Sequence, residues 1–325
     1  MGVGPRAKEG PLKRTLFLLG QLALTVLVTW FIMDRVGLSL AHVRELDPSE
    51  WRPDLALLAG ACLLLLAAYF LSAALWGRVV EDLGGPPIPV WASVRMFMVA
   101  NLGRYLPGKL WQIAGLAMLA RRRGVPASAA TGGAVLGQGI SLVAATLVGV
   151  GALVVGPPEI RRWGLPGAGV VAAAAAFGLL PGVFRRVSAA WFKLARQEEP
   201  PALGSVHALR WLSLYVANWS LYAFSFWLLV ASFGYRGGVV AVGSAFAAAY
   251  VLGYIMLFAP AGVGVREGFL IAFLTPLFGA GPSAALALIA RLWATAVELV
   301  PAAAFWLWSF GKGGGLANGG TRGGA

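Results

Sequence analysis

The chain has 325 residues, of which 59% are hydrophobic and only 12% are charged, and its formal net charge is +13. This balance excludes a soluble globular domain and indicates an integral membrane protein. Because the basic residues lie at the ends of apolar runs, the positive charge indicates membrane orientation rather than nucleic-acid binding.

Six apolar segments are long enough to cross a bilayer, which takes roughly 20 residues. They lie at about 15–33, 54–76, 126–155, 165–183, 209–233 and 283–310. The residues before the first segment resemble the start of a signal peptide, but its long apolar run predicts a retained helix. We therefore divide the chain into a cytoplasmic segment (1–14), a membrane domain (15–310) and a disordered, Gly-rich tail (311–325).

Two further apolar segments, about 90–120 and 239–281, are each interrupted by a charged stretch rich in Gly and Pro, which we call an elbow. In hydrocarbon, unwound backbone survives only when it is buried in protein or lines a wet cavity. Each elbow is therefore either the tip of a re-entrant hairpin or the joint between two crossing helices. The predicted fold class is an all-α, polytopic membrane bundle of six spans plus two broken hairpins, or of eight spans.

The first elbow combines polar and helix-breaking residues: Asn101, Arg104, Tyr105, Pro107, Gly108, Lys109 and Gln112. A helix that restarts after the proline aims its N-terminal N–H groups into the cavity, and the two cations add to that positive end. We predict that Arg104 and Lys109 bind an anion such as phosphate, with Asn101, Tyr105 and Gln112 beside it. The alternatives are cations that snorkel to the headgroups and amides that only join helices.

The second elbow contains Pro260, Gly262 and Gly264, followed by Arg266 and Glu267 at the start of a helix. A carboxylate suits a helix N-terminus, so Glu267 is predicted to lie there as a counter-ion. Arg266 either faces the cavity and binds substrate or forms a local ion pair that holds the elbow.

The last span carries Arg291 and Glu298, seven residues apart and so on roughly one helix face. Arg291 is predicted to bind substrate, and Glu298 to balance Arg266 or Arg95. A purely structural interhelical pair is the alternative.

Counting basic residues by segment predicts the orientation. With the N-terminus inside, fifteen of the 26 Lys and Arg residues flank cytoplasmic ends, six lie in outer loops, and five lie within apolar sequence. The two elbows then open from opposite sides, which makes the halves at about 54–155 and 209–310 an inverted repeat. We expect a cell-membrane protein with both termini in the cytoplasm.

Two other patterns predict packing. Residues 185–199 have apolar positions at helical spacing among basic ones, which indicates either a helix on the cytoplasmic leaflet or a plain loop. The stretch from Gly133 to Gly137 is a small-xxx-small pattern, which lets membrane helices approach closely.

Signals of catalysis are few. The two histidines, His42 and His207, lie in predicted loops, and no P-loop or Gly-x-Ser-x-Gly motif is present. The sequence therefore predicts no enzyme, no metal and no cofactor.

Three stretches of the chain carry a family resemblance: Asn101-Leu-Gly-Arg-Tyr-Leu-Pro-Gly-Lys109, Arg121-Arg-Arg-Gly-Val-Pro126 and Pro260-Ala-Gly-Val-Gly-Val-Arg-Glu267. They resemble motifs of the flippase-like family that includes the transmembrane region of lysylphosphatidylglycerol synthases, the multiple peptide resistance factors. The resemblance implies a polytopic protein that moves lipids, such as aminoacylated phosphatidylglycerol, between leaflets. Because the chain ends about fifteen residues after its last span, we expect no aminoacyl-transferase domain and no lysyl transfer.

Three functions follow as hypotheses. The first is a lipid translocase for an anionic phospholipid or a polyprenyl-phosphate-linked lipid. The second is a secondary transporter of a small anionic solute, since broken helices suit that function equally well. The third is a non-catalytic membrane partner of a separate lipid- or glycan-modifying enzyme.

Overall fold

The computed structural model describes residues 51–105, 110–194, 203–255 and 264–311. These form ten α-helices and one short 3-10 helix. The helices are α1 (Leu55–Asp82), α2 (Val90–Asn101), α3 (Leu110–Arg121), α4 (Ala127–Val155), α5 (Pro158–Leu179), α6 (Pro181–Leu194), α7 (Ser205–Ser232), α8 (Val239–Ile255), α9 (Val265–Phe278) and α10 (Ala280–Gly311). The 3-10 helix, Leu102–Tyr105, extends α2.

Four of the six predicted spans are confirmed. Helices α1, α4, α7 and α10 are each long and apolar enough to cross a membrane. The predicted span at 165–183 lies in α5 and α6, which pass the same test together but are bent by 81° at Leu180. The predicted span at 15–33, the segment 1–14 and the tail from 312 lie outside the described residues.

Helices α1 and α7 are antiparallel and are joined at both ends. At one end, which we call the Asp54 end, the backbone N–H of Asp54 donates to the carbonyl oxygen of Ser232 at 2.7 Å. At the other, the Asp82 end, the Asp82 carboxylate forms an ion pair with Arg210 and accepts from the Trp211 indole at 2.7 Å. Because the two helices have the same length, 28 residues, both joints form at once.

The first elbow belongs to a re-entrant hairpin formed by α2 and α3. The backbone N–H of Ile88, just before α2, donates to Glu81 of α1, and Gly85 approaches Val125, just after α3. Both arms therefore meet the Asp82 end. Each arm has 12 residues and is roughly 18 Å long, well short of the ~30 Å hydrocarbon core.

The second elbow belongs to a hairpin of opposite direction, formed by α8 and α9. Gly237, before α8, approaches the ring of Phe278 at the end of α9, and Trp227 near the end of α7 donates to the Gly237 carbonyl at 2.9 Å. Both arms therefore meet the Asp54 end. The predicted re-entrant, inverted arrangement is thus present in the described arms, while residues 106–109 and 256–263 at the tips lie outside the description.

Helix α4 packs in the centre of the bundle through glycines. A methyl group at Gly133 would lie 2.5 Å from Val80 of α1, and one at Gly137 would lie 3.1 Å from the Tyr215 hydroxyl of α7. The predicted packing role of this small-residue pattern is confirmed. Near the other end of α4, Gly149 lies against the backbone of Ala248 in α8.

Helix α6 lies at the Asp82 end. Its Phe184 contacts Trp211 of α7 with ring centroids 6.3 Å apart, and its Phe192 is buried, while Arg185 and Arg186 are exposed. The segment predicted as either a helix or a loop is therefore helical as far as Leu194.

The described basic residues divide between the two ends as predicted. Arg78, Arg121 and Arg185 lie at the Asp82 end, whereas Arg52 and Arg236 lie at the Asp54 end. Which end faces the cytoplasm stays a prediction.

Candidate functional site

Both hairpins contribute side chains to one polar cavity in the middle of the bundle, which we call the central cavity. Its volume is about 60 Å³, enough for a few water molecules. Its lining residues come from eight helices: Tyr69, Ser72, Phe97, Gln112, Gln138, Ser141, Trp219, Tyr222, Phe246, Tyr250, Arg266 and Ala294. A neighbouring cavity of about 50 Å³ shares Ser72, Phe97, Gln112, Gln138 and Ser141 with it and extends towards Tyr215.

The spanning helices α1, α4 and α7 form a hydrogen-bonded wall. Ser72 of α1 accepts from the Asn218 amide at 2.7 Å, and its hydroxyl lies 3.1 Å from that of Tyr222. The Trp219 indole donates to Ser141 of α4 at 3.0 Å. In a low-dielectric interior such bonds fix side-chain orientation, so this wall is rigid and polar.

The first hairpin contributes an amide pair. The Gln112 side chain, at the start of α3, donates to the Asn101 side-chain oxygen, at the end of α2, at 2.6 Å. Asn101 is 0% exposed, and its amide nitrogen has no hydrogen-bond partner among the described residues. The amide nitrogen of Gln138, in the cavity lining, likewise lacks one. Buried polar groups normally find partners, often ordered water, so the Gln138 nitrogen is a hydrogen-bond donor at the cavity lining.

The second hairpin contributes the cation. Arg266 lines the central cavity, and its guanidinium carbon lies 4.5 Å from the centre of the Phe246 ring, a cation–π contact. The two arms approach closely because α8 has Gly253 at this point, where a methyl group would lie 2.9 Å from the Arg266 Cβ atom. The pattern of residues around the second elbow therefore brings a guanidinium to the cavity.

Glu267 holds the start of α9. One carboxylate oxygen accepts from the backbone N–H of Gly264 at 2.8 Å, and the other accepts from Arg291 of α10 at 3.2 Å. Gly264 has a φ of 82°, which glycine adopts without strain. The predicted position of Glu267 at a helix N-terminus is confirmed, and its ion-pair partner is Arg291.

Glu298 is 2% exposed and lies one helical turn beyond Ala294, which lines the central cavity. It therefore lies on the cavity-facing side of α10. That Glu298 serves as a counter-ion to Arg266 or Arg95 stays a prediction.

The structure brings together some of the predicted site residues. Gln112 and Arg266 line the central cavity, Asn101 bonds to Gln112, and Glu267 and Arg291 pair beside the elbow. The backbone of Arg104 and Tyr105 is helical. The side chains of these two residues, and all of Lys109, Pro107, Gly108, Pro260 and Gly262, lie outside the described residues.

Sequence reasoning missed most of the aromatic lining. Tyr215, Trp219 and Tyr222 recur at a spacing of three to four residues along α7, and Tyr69 and Ser72 do so along α1. Side chains at this spacing share one helix face. A stripe of polar and aromatic side chains on one face of an apolar span is therefore the sequence signal for this part of the cavity lining.

No curated protein matches the chain. A family model described as the lysylphosphatidylglycerol synthase TM region matches residues 18–302, which is most of the chain and includes both hairpins. The protein therefore belongs to the family of lysylphosphatidylglycerol synthase transmembrane regions, polytopic membrane proteins related to lipid handling.

Proposed function

We propose that this protein is a lipid translocase that passes an anionic phospho-headgroup through the central cavity while the acyl or prenyl chains stay in the bilayer. The observation that carries the proposal is Arg266, a cation in the cavity that both opposed hairpins line. Discontinuous helices that meet near the membrane midplane are a recurrent way of building transport sites.

The charge balance of the cavity supports an anionic guest. Among its described lining residues, Arg266 is the charged one and the others are neutral donors, acceptors or aromatic rings. A cation at membrane depth is costly, and an ionised headgroup would offset that cost during passage. Amide and hydroxyl groups from Gln112, Gln138 and Ser141 would hydrogen-bond to phosphate oxygens.

The central cavity is closed to lipid in this structure. At about 60 Å³ it is far smaller than the ~300–1,000 Å³ of ordinary ligand pockets, so neither a headgroup nor an acyl chain fits in it as it stands. The hairpins must move apart for a headgroup to pass. In this proposal the first hairpin is the mobile part, because each of its arms is only 12 residues long.

The remaining predicted residues take roles in the same proposal. Arg104, Lys109 and Arg291 would receive the phosphate before or after Arg266, with Asn101 and Tyr105 beside them. Glu267 and Glu298 would balance these cations while the cavity is empty. The proposed location is the cell membrane, with the Asp82 end towards the cytoplasm.

Leaflet exchange in liposomes tests the proposal. Purified protein is reconstituted with a trace of fluorescent phosphatidylglycerol, and exchange is followed by quenching of the outer-leaflet probe. We expect Arg266→Gln to slow exchange about ten- to a hundredfold, since a charged hydrogen bond contributes about 1.5–3 kcal/mol. Arg161→Gln, an exposed arginine at the Asp54 end, removes the same charge and should leave exchange unchanged.

Two outcomes would contradict the proposal. One is exchange no faster than in protein-free vesicles for both phosphatidylglycerol and a polyprenyl phosphate. The other is uptake of soluble glycerol phosphate into the same vesicles without lipid exchange, which would make the protein a solute transporter.

A further inference from the structure

Helix α3 separates two different environments. Gln112, Ile113 and Leu116 face the cavities inside the bundle. Ala114, Ala117, Met118 and Arg121 recur at a spacing of three to four residues and line a groove on the outside of the helix. One helix thus has an inner face towards the cavities and an outer face towards the groove.

The groove has a volume of about 530 Å³ and is open to the surroundings. Its described lining is Ala114, Ala117, Met118, Arg121 and Arg122 from α3 and the loop that follows, with Thr131 of α4 as the opposite wall. Small side chains form its floor, and two guanidinium groups lie at one end. The described lining contains no carboxylate to pair with these cations.

The polarity of the groove follows the polarity of a lipid leaflet. Arg121 and Arg122 are exposed where α3 ends and the loop to α4 begins, at the Asp82 end of the bundle. Ala114 lies seven residues earlier, roughly 10 Å further into the membrane along the helix. Met118, between these levels, is 52% exposed. The groove therefore presents cations at headgroup depth and apolar surface at acyl-chain depth.

We propose that this groove binds one anionic phospholipid, with its phosphate on Arg121 and Arg122 and an acyl chain along Ala114, Ala117 and Met118. Two cations at the headgroup level and a floor without bulky side chains complement that ligand in charge and in shape. The inference concerns a binding site outside the central cavity, and it stands whether or not lipid crosses the bilayer. Only α3 lies between this site and Gln112, so the lipid would be held next to the first hairpin.

Native mass spectrometry of the full-length protein in mild detergent tests the site by titration with phosphatidylglycerol. We expect Arg122→Gln to weaken the tightest binding event about fivefold, the effect of one basic residue on an anionic lipid. Arg123→Gln is the matched control, because Arg123 is the adjacent residue and is also exposed but lies outside the groove lining. Phosphatidylcholine, which has no net charge, should bind both variants equally.

A second pair of variants tests the apolar part without changing charge. Ala114→Trp should fill the groove and weaken phosphatidylglycerol binding at least about fivefold, whereas Ala174→Trp, on an exposed position of α5, should not. If the first variant fails to fold, Thr131→Trp fills the groove from the opposite wall. Soluble glycerol phosphate should not compete for the site.

The proposal is overturned if Arg122→Gln and Arg123→Gln weaken binding equally, since that indicates general attraction to a basic surface. It is also overturned if neither groove-filling variant alters binding. Because every readout is binding, a loss of leaflet exchange alone counts neither for nor against this site.

Discussion

At the scale of single residues, Glu267 uses both carboxylate oxygens at once. One oxygen caps α9 through Gly264, and the other pairs with Arg291, so the carboxylate links the second hairpin to the last span. The guanidinium of the neighbouring residue, Arg266, lies over the ring of Phe246. Adjacent helical residues point in directions about 100° apart, which lets neighbours in sequence take separate roles.

This arrangement predicts different effects for two similar substitutions. Arg291→Gln removes the ion-pair partner of Glu267, whose side chain is 20% exposed, and should cost about 1–3 kcal/mol of stability. Arg266→Gln, which removes the cation that lines the central cavity, should chiefly slow lipid exchange. Thermal unfolding in detergent, followed by intrinsic fluorescence, measures both.

The double substitution Arg291→Gln/Glu267→Gln supplies the control, because it removes both charges and should recover most of the lost stability. An equal loss of stability in Arg266→Gln would show that Arg266 holds the elbow rather than serving the cavity. A melting temperature unaffected by Arg291→Gln would mean that the 3.2 Å contact contributes little.

At the scale of elements, the packing of α4 depends on glycine at specific points. A methyl group at Gly149 would lie 2.9 Å from the backbone nitrogen of Ala248, and backbone cannot move aside as a flexible side chain can. A methyl group at Gly139, on the same helix, would have nothing within 4 Å.

Gly149→Ala should therefore push α8 away from α4 and destabilise the protein by about 1–3 kcal/mol. Gly139→Ala should stabilise it slightly, by up to ~1 kcal/mol, because alanine is the better helix former. Thermal unfolding of the two variants beside the parent protein measures the difference. A similar melting temperature for both would show that α8 moves freely against α4, contrary to the close contact described above.

Helices were easier to predict from the sequence than their ends. The predicted span at 54–76 stopped before Arg78, where the apolar run ends, but α1 continues to Asp82 because its polar last turn reaches Arg210 and Trp211. The bend at Leu180 was not predicted, although Pro181 marks it: a residue before proline is disfavoured in helical backbone, and Leu180 has a ψ of 132°. Hydropathy thus finds the buried length of a span but not the turns that extend beyond it.

The site was predicted in part for a similar reason. Charged and helix-breaking residues are conspicuous in apolar sequence, so Arg266, Glu267 and Gln112 were found. Tyr222 and Ser141 belong to otherwise ordinary spans, and only the packing of α4 against α7 shows that they share a cavity. Residues that lie together in space but far apart in sequence leave no local sequence pattern that reveals their proximity.

At the scale of the whole molecule, the division of basic residues between the two ends predicts a single orientation. In a protein whose one cysteine is replaced by Cys62→Ala, cysteines introduced at Arg123 and at Arg162 should be labelled from opposite faces of the membrane. An impermeant maleimide applied to intact cells and to inverted vesicles measures this. We expect Arg123→Cys to react only in inverted vesicles, as the positive-inside rule requires.

A third variant, Arg186→Cys, should behave like Arg123→Cys, because α6 lies at the same end of the bundle. Labelling of Arg123→Cys in intact cells would reverse the orientation. Labelling of Arg123→Cys and Arg186→Cys from different faces would contradict the fold itself.

The joints at both ends of α1 and α7 restrict how the bundle can deform. Two antiparallel helices that are tied at Asp54 and again at Asp82 cannot slide past each other by a helical turn without breaking one joint or the other. The two helices therefore keep a fixed position relative to each other along their axes. Opening of the cavity must occur by tilting of the hairpins against this pair, and the energetic cost of opening falls on the packing of α2, α3, α8 and α9.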